Sequence, residues 1–255
     1  MAGQTEQELR IQLAACYRIF DYLGWSEMIF NHITMKVPSD QVPSDQVPGN
    51  QEHFLINPYG LHYSEVTASN LVKVDIEGNI VEPTDYAVNP AGIIIHTAIH
   101  GARKDVHCIA HVHTDAGMAV ACSEEGLRTD NFYSALLQNR IAYHDFEGIT
   151  VMDDEKPRLL ANMGDKNMLI LRNHGLLTCG RTIPEAFMNM WALQRSCEVQ
   201  VACDATGKPL IPVSDKVLAQ TEKLMAMQSM GQPAGELEFK AMTRLIDKID
   251  SSYKD

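Results

Sequence analysis

The run HCIAHVHT, residues 107–114, is the feature that most constrains how this chain folds. Its apolar and β-branched residues predict a buried strand, with His111 and His113 at positions i and i+2. Side chains at that spacing leave a strand on the same face, about 6.5–7 Å apart. The fold must therefore place two imidazoles on one face of a buried strand. There they can converge on one ion or, alternatively, bond to backbone carbonyls of the core.

A second segment, LRNHGLLTCG, adds a third histidine to this pattern. His174 ends an apolar strand, and Gly175 lets the backbone turn tightly beside it. Three neutral nitrogen ligands with an open coordination position are the usual arrangement of a catalytic zinc site. Because no ligand is a carboxylate, the ion would keep its full double charge and act as a strong Lewis acid. We predict Zn²⁺, with Mn²⁺, Fe²⁺ and Co²⁺ as alternatives that three imidazoles also suit.

Other histidines offer rival metal sites. His96 and His100 stand at i and i+4 of a predicted helix, but Thr97 occupies the position where a zincin helix needs glutamate. We expect one of this pair to pack near the metal site rather than to bind an ion. His107 shares strand parity with His111 but lies four residues away, too far to bind the same ion.

Composition limits the partners and the compartment. A formal net charge of -12 argues against nucleic acid and against an anionic membrane surface as partners. An anionic small-molecule substrate stays open, because a bound metal ion reverses the local potential. The six cysteines form no CxxC pair, which indicates reduced thiols. The polar N-terminus and the lack of any apolar run of about 18 residues then predict a cytoplasmic protein without a membrane partner.

Apolar periodicity organises the chain into one predicted α/β domain over residues 1–255. Its core spans about residues 8–210, and a helical tail covers residues 214–255. Helical spacing is clear over residues 5–24, 90–103 and 183–205. The repeat VPSDQ-VPSDQ-VPGN, residues 37–50, predicts a solvated loop without chemistry.

Two segments resemble the class II aldolase/adducin family in order and spacing. They are IHTAIHGARKDVHCIAHVHTDAGMAVA and ILRNHGLLTCG. The resemblance continues through FNHITMKVP and HFLINPYGLHYSEVTASNLVKVDIEGNIV, and it covers roughly residues 10–205. Within the family, YSEVTASNLVK and AYHDFEG are most similar to the head domain of adducins and to their bacterial relatives.

The resemblance implies a three-layer α/β/α fold around a central, mostly antiparallel sheet of about nine strands. It also implies a homotetramer with sites at subunit interfaces, and metal ligands at His111, His113 and His174. In family members of known chemistry the ion chelates a substrate carbonyl and stabilises the enediolate left when a carbon–carbon bond breaks.

The sequence departs from the sugar-phosphate enzymes of the family at their phosphate site. Those enzymes carry a Ser-Ser-acid triplet just before the helix of His96, where this chain has Pro90-Ala91-Gly92. Their Thr-Gly corresponds to Tyr59-Gly60, and their Gly-Asn corresponds to Phe30-Asn31. A phosphate dianion needs several donors, so a sugar-phosphate aldolase or epimerase is only the second alternative.

The main prediction is a metal-dependent carbon–carbon lyase, an aldolase or decarboxylase. Its substrate would be a non-phosphorylated hydroxy or aromatic acid, or a sugar-derived compound. The first alternative is a non-catalytic, adducin-like assembly domain that keeps the metal site. All three readings are compatible with the histidines.

Candidate groups around the ion come from several segments. Arg172 could bind a substrate carboxylate bidentately or form a structural ion pair. Tyr143 and His144 fall where the family has a catalytic tyrosine, and either could be a general acid or a structural aromatic residue. Five further residues are candidates for binding the substrate, and for the two asparagines among them turn formation is an equally good explanation. That substrate-binding set is Asn31, Asn57, Tyr59, Gly60 and Gly92.

Overall fold

The computed structural model describes residues 4–37, 52–148, 153–228 and 234–255. Apart from Val37, the predicted loop of repeated VPSDQ lies outside these residues.

One mixed sheet runs through the described part of the chain. Its strands are β1 His32–Val37, β2 His53–Ile56, β3 Val72–Val74, β4 Cys108–Val112, β5 Ile141–His144, β6 Met168–Leu171 and β7 Gly175–Gly180. They lie side by side in the order β3-β2-β1-β4-β7-β6-β5. Every neighbouring pair is antiparallel except β5 and β6, which run parallel.

The expected α/β class is confirmed, whereas the expected count of about nine strands is wrong for the described residues. These form seven strands. Between β3 and the next helix, the backbone makes only the isolated bridges Tyr59–Ala87 and Val74–Ile80. A tight turn lies there, with Gly78 at φ 87° and the Asp75 carboxylate accepting from the backbone N–H of Asn79. The parallel pairing of β5 with β6 also makes the sheet mixed.

Eight α-helices accompany the sheet in the described residues. They are α1 Glu6–Tyr22, α2 Pro90–Ala102, α3 Asp115–Cys122, α4 Phe132–Ala135, α5 Lys156–Met163, α6 Ile183–Ala205, α7 Asp215–Gln228 and α8 Glu236–Ile249. Local side chains begin the helices that matter most here, because Asn89, Thr114 and Thr182 accept from first-turn N–H groups of α2, α3 and α6. None of the helices that the structure describes could cross a membrane.

Alternation along the strands places buried apolar clusters on both faces of the sheet and gives three layers. On one face, Ala110 and Leu176 pack with apolar residues of α1, α6 and α8. On the other face, Ile109 and Leu177 pack with residues of α2 and α5. His111 has the strand parity of Ile109, so its imidazole lies on the face that α2 covers.

Candidate metal centre

Three imidazoles meet at the end of the central strand pair. His111 lies on β4, His113 follows the end of β4, and His174 lies in the turn that joins β6 to β7. Because β4 and β7 are antiparallel neighbours, with His111 opposite Leu177, that turn lies beside the end of β4. Residues more than sixty positions apart in the chain are thereby brought together.

The distances fit a single ion. Nε2 of His111 lies 2.7 Å from Nε2 of His113 and 3.3 Å from Nε2 of His174. One ligand atom from each residue lies within 4.8 Å of the other two. Tetrahedral ligands about 2.0–2.1 Å from zinc lie roughly 3.3 Å apart. The three side chains could therefore hold a metal ion after a small outward movement of His113.

A backbone contact orients the most buried of the three rings. Nδ1 of His111 lies 2.9 Å from the carbonyl oxygen of Leu176, which can only accept a hydrogen bond. Nδ1 therefore carries the proton, and the lone pair of Nε2 points at the other two histidines. Such a contact commonly fixes the tautomer of a metal-bound histidine.

Gly175 lets the turn approach β4 closely. A Cβ at this position would clash with the carbonyl oxygen of Val112 and come within 3.1 Å of Cδ2 of His113. The residue two positions earlier, Asn173, has φ 57°, a left-handed conformation that asparagine adopts more readily than most residues. The local sequence Asn-His-Gly thus allows the tight turn that presents His174.

Burial keeps the three imidazoles neutral. It lowers the pKa of His113 to about 4, with the neighbouring His174 adding to the effect. Burial also lowers the pKa of His174 and holds that of His111 well below its usual range, where the other histidines contribute. A metal ion binds the neutral form of imidazole, so the electrostatics of the site suit an ion.

His144 lies on the same face of the sheet as His111 and lines a small cleft together with His174. The residue is buried, and both of its ring nitrogens have partners. Nε2 lies 3.1 Å from Oε1 of Glu155, and Nδ1 lies 2.9 Å from Nδ2 of Asn162. The Asn162 amide donates to Nδ1, so the Nε2 proton points at the glutamate.

Tyr143, the other candidate general acid, faces the opposite side of β5 and packs against the core of α1 and α6. Its hydroxyl oxygen accepts from the backbone N–H of Leu127 at 3.0 Å. The guanidinium of Arg172 stacks 4.4 Å above its ring and donates to the carbonyl of Ser123 at 2.6 Å. Arg172 also lines the cleft beside His174, so its role as a carboxylate-binding group stays a prediction.

The side chains of the two candidate asparagines are bonded to other residues of the protein, Asn31 within its own loop and Asn57 to helix α1. Nδ2 of Asn31 donates to the carbonyl of Trp25 at 2.7 Å. Oδ1 of Asn57 accepts from the hydroxyl of Tyr17 at 3.0 Å.

Tyr59 and Gly60 form an exposed turn after β2. Gly60 has φ 105°, with open space where a side chain would stand. The turn conformation explains the glycine at position 60, and contact of Tyr59, Gly60 and the two asparagines with a substrate stays a prediction.

The last candidate, Gly92, lies against His32, a residue that the sequence alone did not single out as functional. A Cβ at Gly92 would lie 2.5 Å from Cδ2 of His32 and 2.8 Å from its Nε2. His32 pairs with His111 across β1 and β4, and the two ring centroids are 5.0 Å apart. His96 of α2 also packs here, as expected for one of its pair, with Nε2 at 2.9 Å from Nδ1 of His32.

The comparisons with known proteins identify the same fold and family. The family described as "Class II Aldolase and Adducin N-terminal domain" matches residues 11–201. A Pseudomonas aeruginosa protein, whose name assigns it to the class 2 aldolases, is 42% identical over 98% of this chain and 93% of its own length. Alpha-adducin of Rattus norvegicus is 43% identical over 96% of this chain, which corresponds to 34% of that protein.

Two solved structures are similar along nearly their whole length. An aldolase II superfamily protein from Pseudomonas syringae has a TM-score of 0.89 and 39% identity, covering 100% of this chain and 98% of that one. L-fuculose 1-phosphate aldolase from Glaciozyma antarctica has a TM-score of 0.81 and 29% identity, covering 98% of this chain and 93% of that one.

Proposed function

Since the chain belongs to the class II aldolase and adducin family, we propose that it is a metal-dependent carbon–carbon lyase with its ion held by His111, His113 and His174. The convergence of three Nε2 atoms at the end of β4 carries this proposal. When bound, a zinc ion would supply a Lewis acid that withdraws electrons from a substrate oxygen. Mn²⁺, Fe²⁺ and Co²⁺ are alternatives.

The chain's own residues orient the site and its substrate. The Leu176 carbonyl holds the imidazole of His111 in one tautomer, and Gly175 brings the His174 turn against β4. His144 is the better placed of the two candidate general acids, because it lines the cleft beside His174 whereas Tyr143 faces the other core. Arg172 lines the same cleft, and its guanidinium would have to leave the Tyr143 ring and the Ser123 carbonyl to bind a substrate carboxylate.

We propose a non-phosphorylated small-molecule substrate, such as a hydroxy or aromatic acid or a sugar-derived compound. A phosphate dianion needs several hydrogen-bond donors. Gly92 offers no side chain at the start of α2, and the amide of Asn31 is already bonded to the Trp25 carbonyl. The same family resemblance supports a cytoplasmic homotetramer with sites at subunit interfaces. Light scattering would measure the number of subunits, and a structure of the assembly would show whether the sites lie between them.

Two other functions each have one observation in their favour. Sugar-phosphate cleavage is favoured by the 29% identity to a protein described as L-fuculose 1-phosphate aldolase. A non-catalytic assembly role is favoured by the 43% identity to alpha-adducin. Neither observation explains why three neutral imidazoles converge and also why position 92 is glycine.

The deciding experiment joins metal analysis to a substrate panel. Protein purified without a histidine tag should carry close to one equivalent of zinc, manganese, iron or cobalt by elemental mass spectrometry. His111→Ala should lose that metal, whereas His107→Ala, directly before the same strand, should keep it. The loaded protein should release aldehyde or carbon dioxide from a member of a panel of hydroxy and aromatic acids, with L-fuculose 1-phosphate tested beside them.

Each alternative has its own result in this experiment. Cleavage of L-fuculose 1-phosphate alone would replace the proposed substrate class. A metal-loaded protein that turns over no compound of the panel would favour the assembly role. Metal content unchanged in His111→Ala would overturn the metal site itself.

A further inference from the structure

Four buried side chains form an unbroken hydrogen-bonded chain beside the three proposed metal ligands. Nδ1 of His32 lies 2.9 Å from Nε2 of His96, and Nδ1 of His96 lies 2.7 Å from Oγ1 of Thr34. The same Oγ1 lies 2.8 Å from Nε2 of His100, whose Nδ1 lies 3.4 Å from the carbonyl oxygen of Val106. None of these contacts involves His111, His113 or His174.

The Val106 carbonyl, at one end of the hydrogen-bonded chain, determines which group donates in each of its hydrogen bonds. The Val106 oxygen can only accept, so Nδ1 of His100 carries a proton. His100 is fully buried and its pKa is lowered to about 3, so it is neutral and its Nε2 accepts from the Thr34 hydroxyl.

The donor in each remaining hydrogen bond follows from the bond between the Thr34 hydroxyl and His100. The Thr34 hydroxyl uses its only proton in the hydrogen bond to Nε2 of His100, so its oxygen accepts from Nδ1 of His96. Nε2 of His96 is then left as an acceptor, and Nδ1 of His32 donates to it. All three imidazoles are therefore Nδ1–H tautomers.

The free end of this hydrogen-bonded chain of side chains is Nε2 of His32. Within the part of the chain that the structure describes, this nitrogen has no hydrogen-bond partner. His32 keeps 4% of its surface exposed, whereas His96 and His100 keep 0%. Its ring lies 5.0 Å from that of His111, in the space that a side chain at Gly92 would take. It is not one of the three residues whose ligand atoms cluster, so it lies beside the metal ligands without being one of them.

We propose that this chain holds Nε2 of His32 as a fixed lone pair that accepts a hydrogen bond from a hydroxyl group of the substrate. The proposal rests on the proposed function for the ion beside it and narrows the substrate to one that bears a hydroxyl. His32 is then a substrate-binding residue, and His96, Thr34 and His100 are positioning residues that act through it. A substrate without a donor at this point leaves a buried acceptor unpaired and binds more weakly.

The tautomers can be observed directly. Long-range ¹H–¹⁵N spectra of protein labelled at histidine should show protonated Nδ1 and unprotonated Nε2 for His32, His96 and His100, both without metal and with zinc. Single substitutions would assign the signals. A protonated Nε2 at His32 would overturn the proposal even if the protein binds zinc normally. Failure to bind zinc with the tautomers as expected would instead overturn the proposed metal site.

Substitution of Thr34 tests whether its hydroxyl determines the tautomers of His96 and His32. In Thr34→Val the side chain keeps its shape but His96 loses its acceptor, so we expect the tautomers of His96 and His32 to change. Thr34→Ser restores a hydroxyl and should restore the wild-type tautomers. Thr97→Val is the matched control, because Thr97 is another buried threonine whose hydroxyl donates only within α2, to the carbonyl of Ile93 at 2.8 Å.

Binding of two simple acids to the zinc-loaded protein tests the function of the lone pair. Glycolate and methoxyacetate offer the same oxygens to an ion, but only glycolate has an O–H to donate. By calorimetry, the preference for glycolate should be about fivefold to tenfold greater in wild type than in Thr34→Val. Comparing ratios between variants cancels the steric effect of the methyl group. Thr34→Ser and Thr97→Val should keep the wild-type preference.

Two results would contradict the hydroxyl-acceptor role. One is an equal preference for glycolate in wild type and in Thr34→Val. The other is an equal loss of that preference in Thr97→Val. If Thr34→Val does not fold, the wild-type spectrum still decides the tautomer of His32.

Discussion

At the scale of single residues, Gly175 determines how closely the turn of His174 approaches β4. In Gly175→Ala the new methyl group would clash with the Val112 carbonyl and press on His113. We expect a loss of about 1–3 kcal/mol in the free energy of unfolding, because packed backbone must move apart. Zinc affinity should fall as well. Urea unfolding and elemental analysis measure the two effects.

Gly101→Ala is the matched control for this substitution. Gly101 lies inside α2, and its new methyl group would meet only Cδ1 and Cγ1 of Ile76 at 3.7 and 3.9 Å. Alanine in a helix is favoured over glycine by roughly 0.5–1 kcal/mol, so this variant should be unchanged or more stable. Equal losses of stability in the two variants would contradict the role given to Gly175.

His100 gives the folded protein a specific sensitivity to acid. Burial is the main cause that lowers the pKa of this residue to about 3, and the nearby lysines 36 and 104 add to it. Between that value and the ordinary pKa of about 6.5, the unfolded chain binds a proton that the folded chain does not. The stabilisation is therefore complete above about pH 6.5 and is lost as the pH falls toward 3. The slope is up to about 1.4 kcal/mol per pH unit.

Urea unfolding between pH 7.5 and pH 4.5 measures this dependence. His100→Gln should be less stable at pH 7.5, because the bond to Thr34 and the stacking on Phe54 at 4.4 Å are lost. It should also lose stability less steeply on acidification than wild type. Parallel curves for the two proteins would refute the assignment.

At the scale of elements, α2 carries His96 and His100, two of the four members of the hydrogen-bonded chain, and depends on its N-terminal cap. The Asn89 side chain accepts from the backbone N–H of Ala91 at 3.1 Å, and Pro90 occupies the first helical position. Asn89→Ala should lower the free energy of unfolding by about 1 kcal/mol, whereas Asn89→Asp keeps an acceptor and should lose less. Denaturant midpoints distinguish them, and equal losses would show that the cap contributes nothing.

Elements whose signals are local could be predicted from the sequence. The helix expected over residues 183–205 has those bounds because Thr182 and Pro184 lie at its start and apolar residues recur through it. The strand of His111 followed from its composition alone. The pairing of His111 and His113 with His174 came from the Asn-His-Gly turn, read together with the family resemblance.

Elements that depend on distant pairing could not be predicted in this way. The alternation in HITMK places His32 and Thr34 on one face of β1, but only the pairing of β1 with β4 places that face beside the metal site. The parallel pairing of β5 with β6 depends on the crossover through α5. The expected count of about nine strands came from the family resemblance, whereas in the described residues the segment after β3 turns at Gly78 and leaves only isolated bridges.

At the scale of the whole molecule, metal binding should stabilise the folded chain. An ion that binds only the folded state adds about 2.7 kcal/mol when its free concentration is 100 times its dissociation constant. Calorimetry should therefore show a higher melting temperature with zinc than after chelation. His174→Ala should abolish the increase and His107→Ala should keep it. An equal increase in both variants would mean that zinc binds elsewhere.

The central position of the β4–β7 pair also determines when this site can exist during protein synthesis. Residues 108–113 leave the ribosome long before residues 174–180, which supply the third imidazole and the carbonyl that orients His111. A nascent chain that ends between them has only two of the three histidines and lacks β7, whose Leu176 carbonyl orients the ring of His111. Metal insertion must therefore follow translation of β7. For the same reason, cutting the gene between the two segments would give two fragments, neither of which could assemble the centre alone.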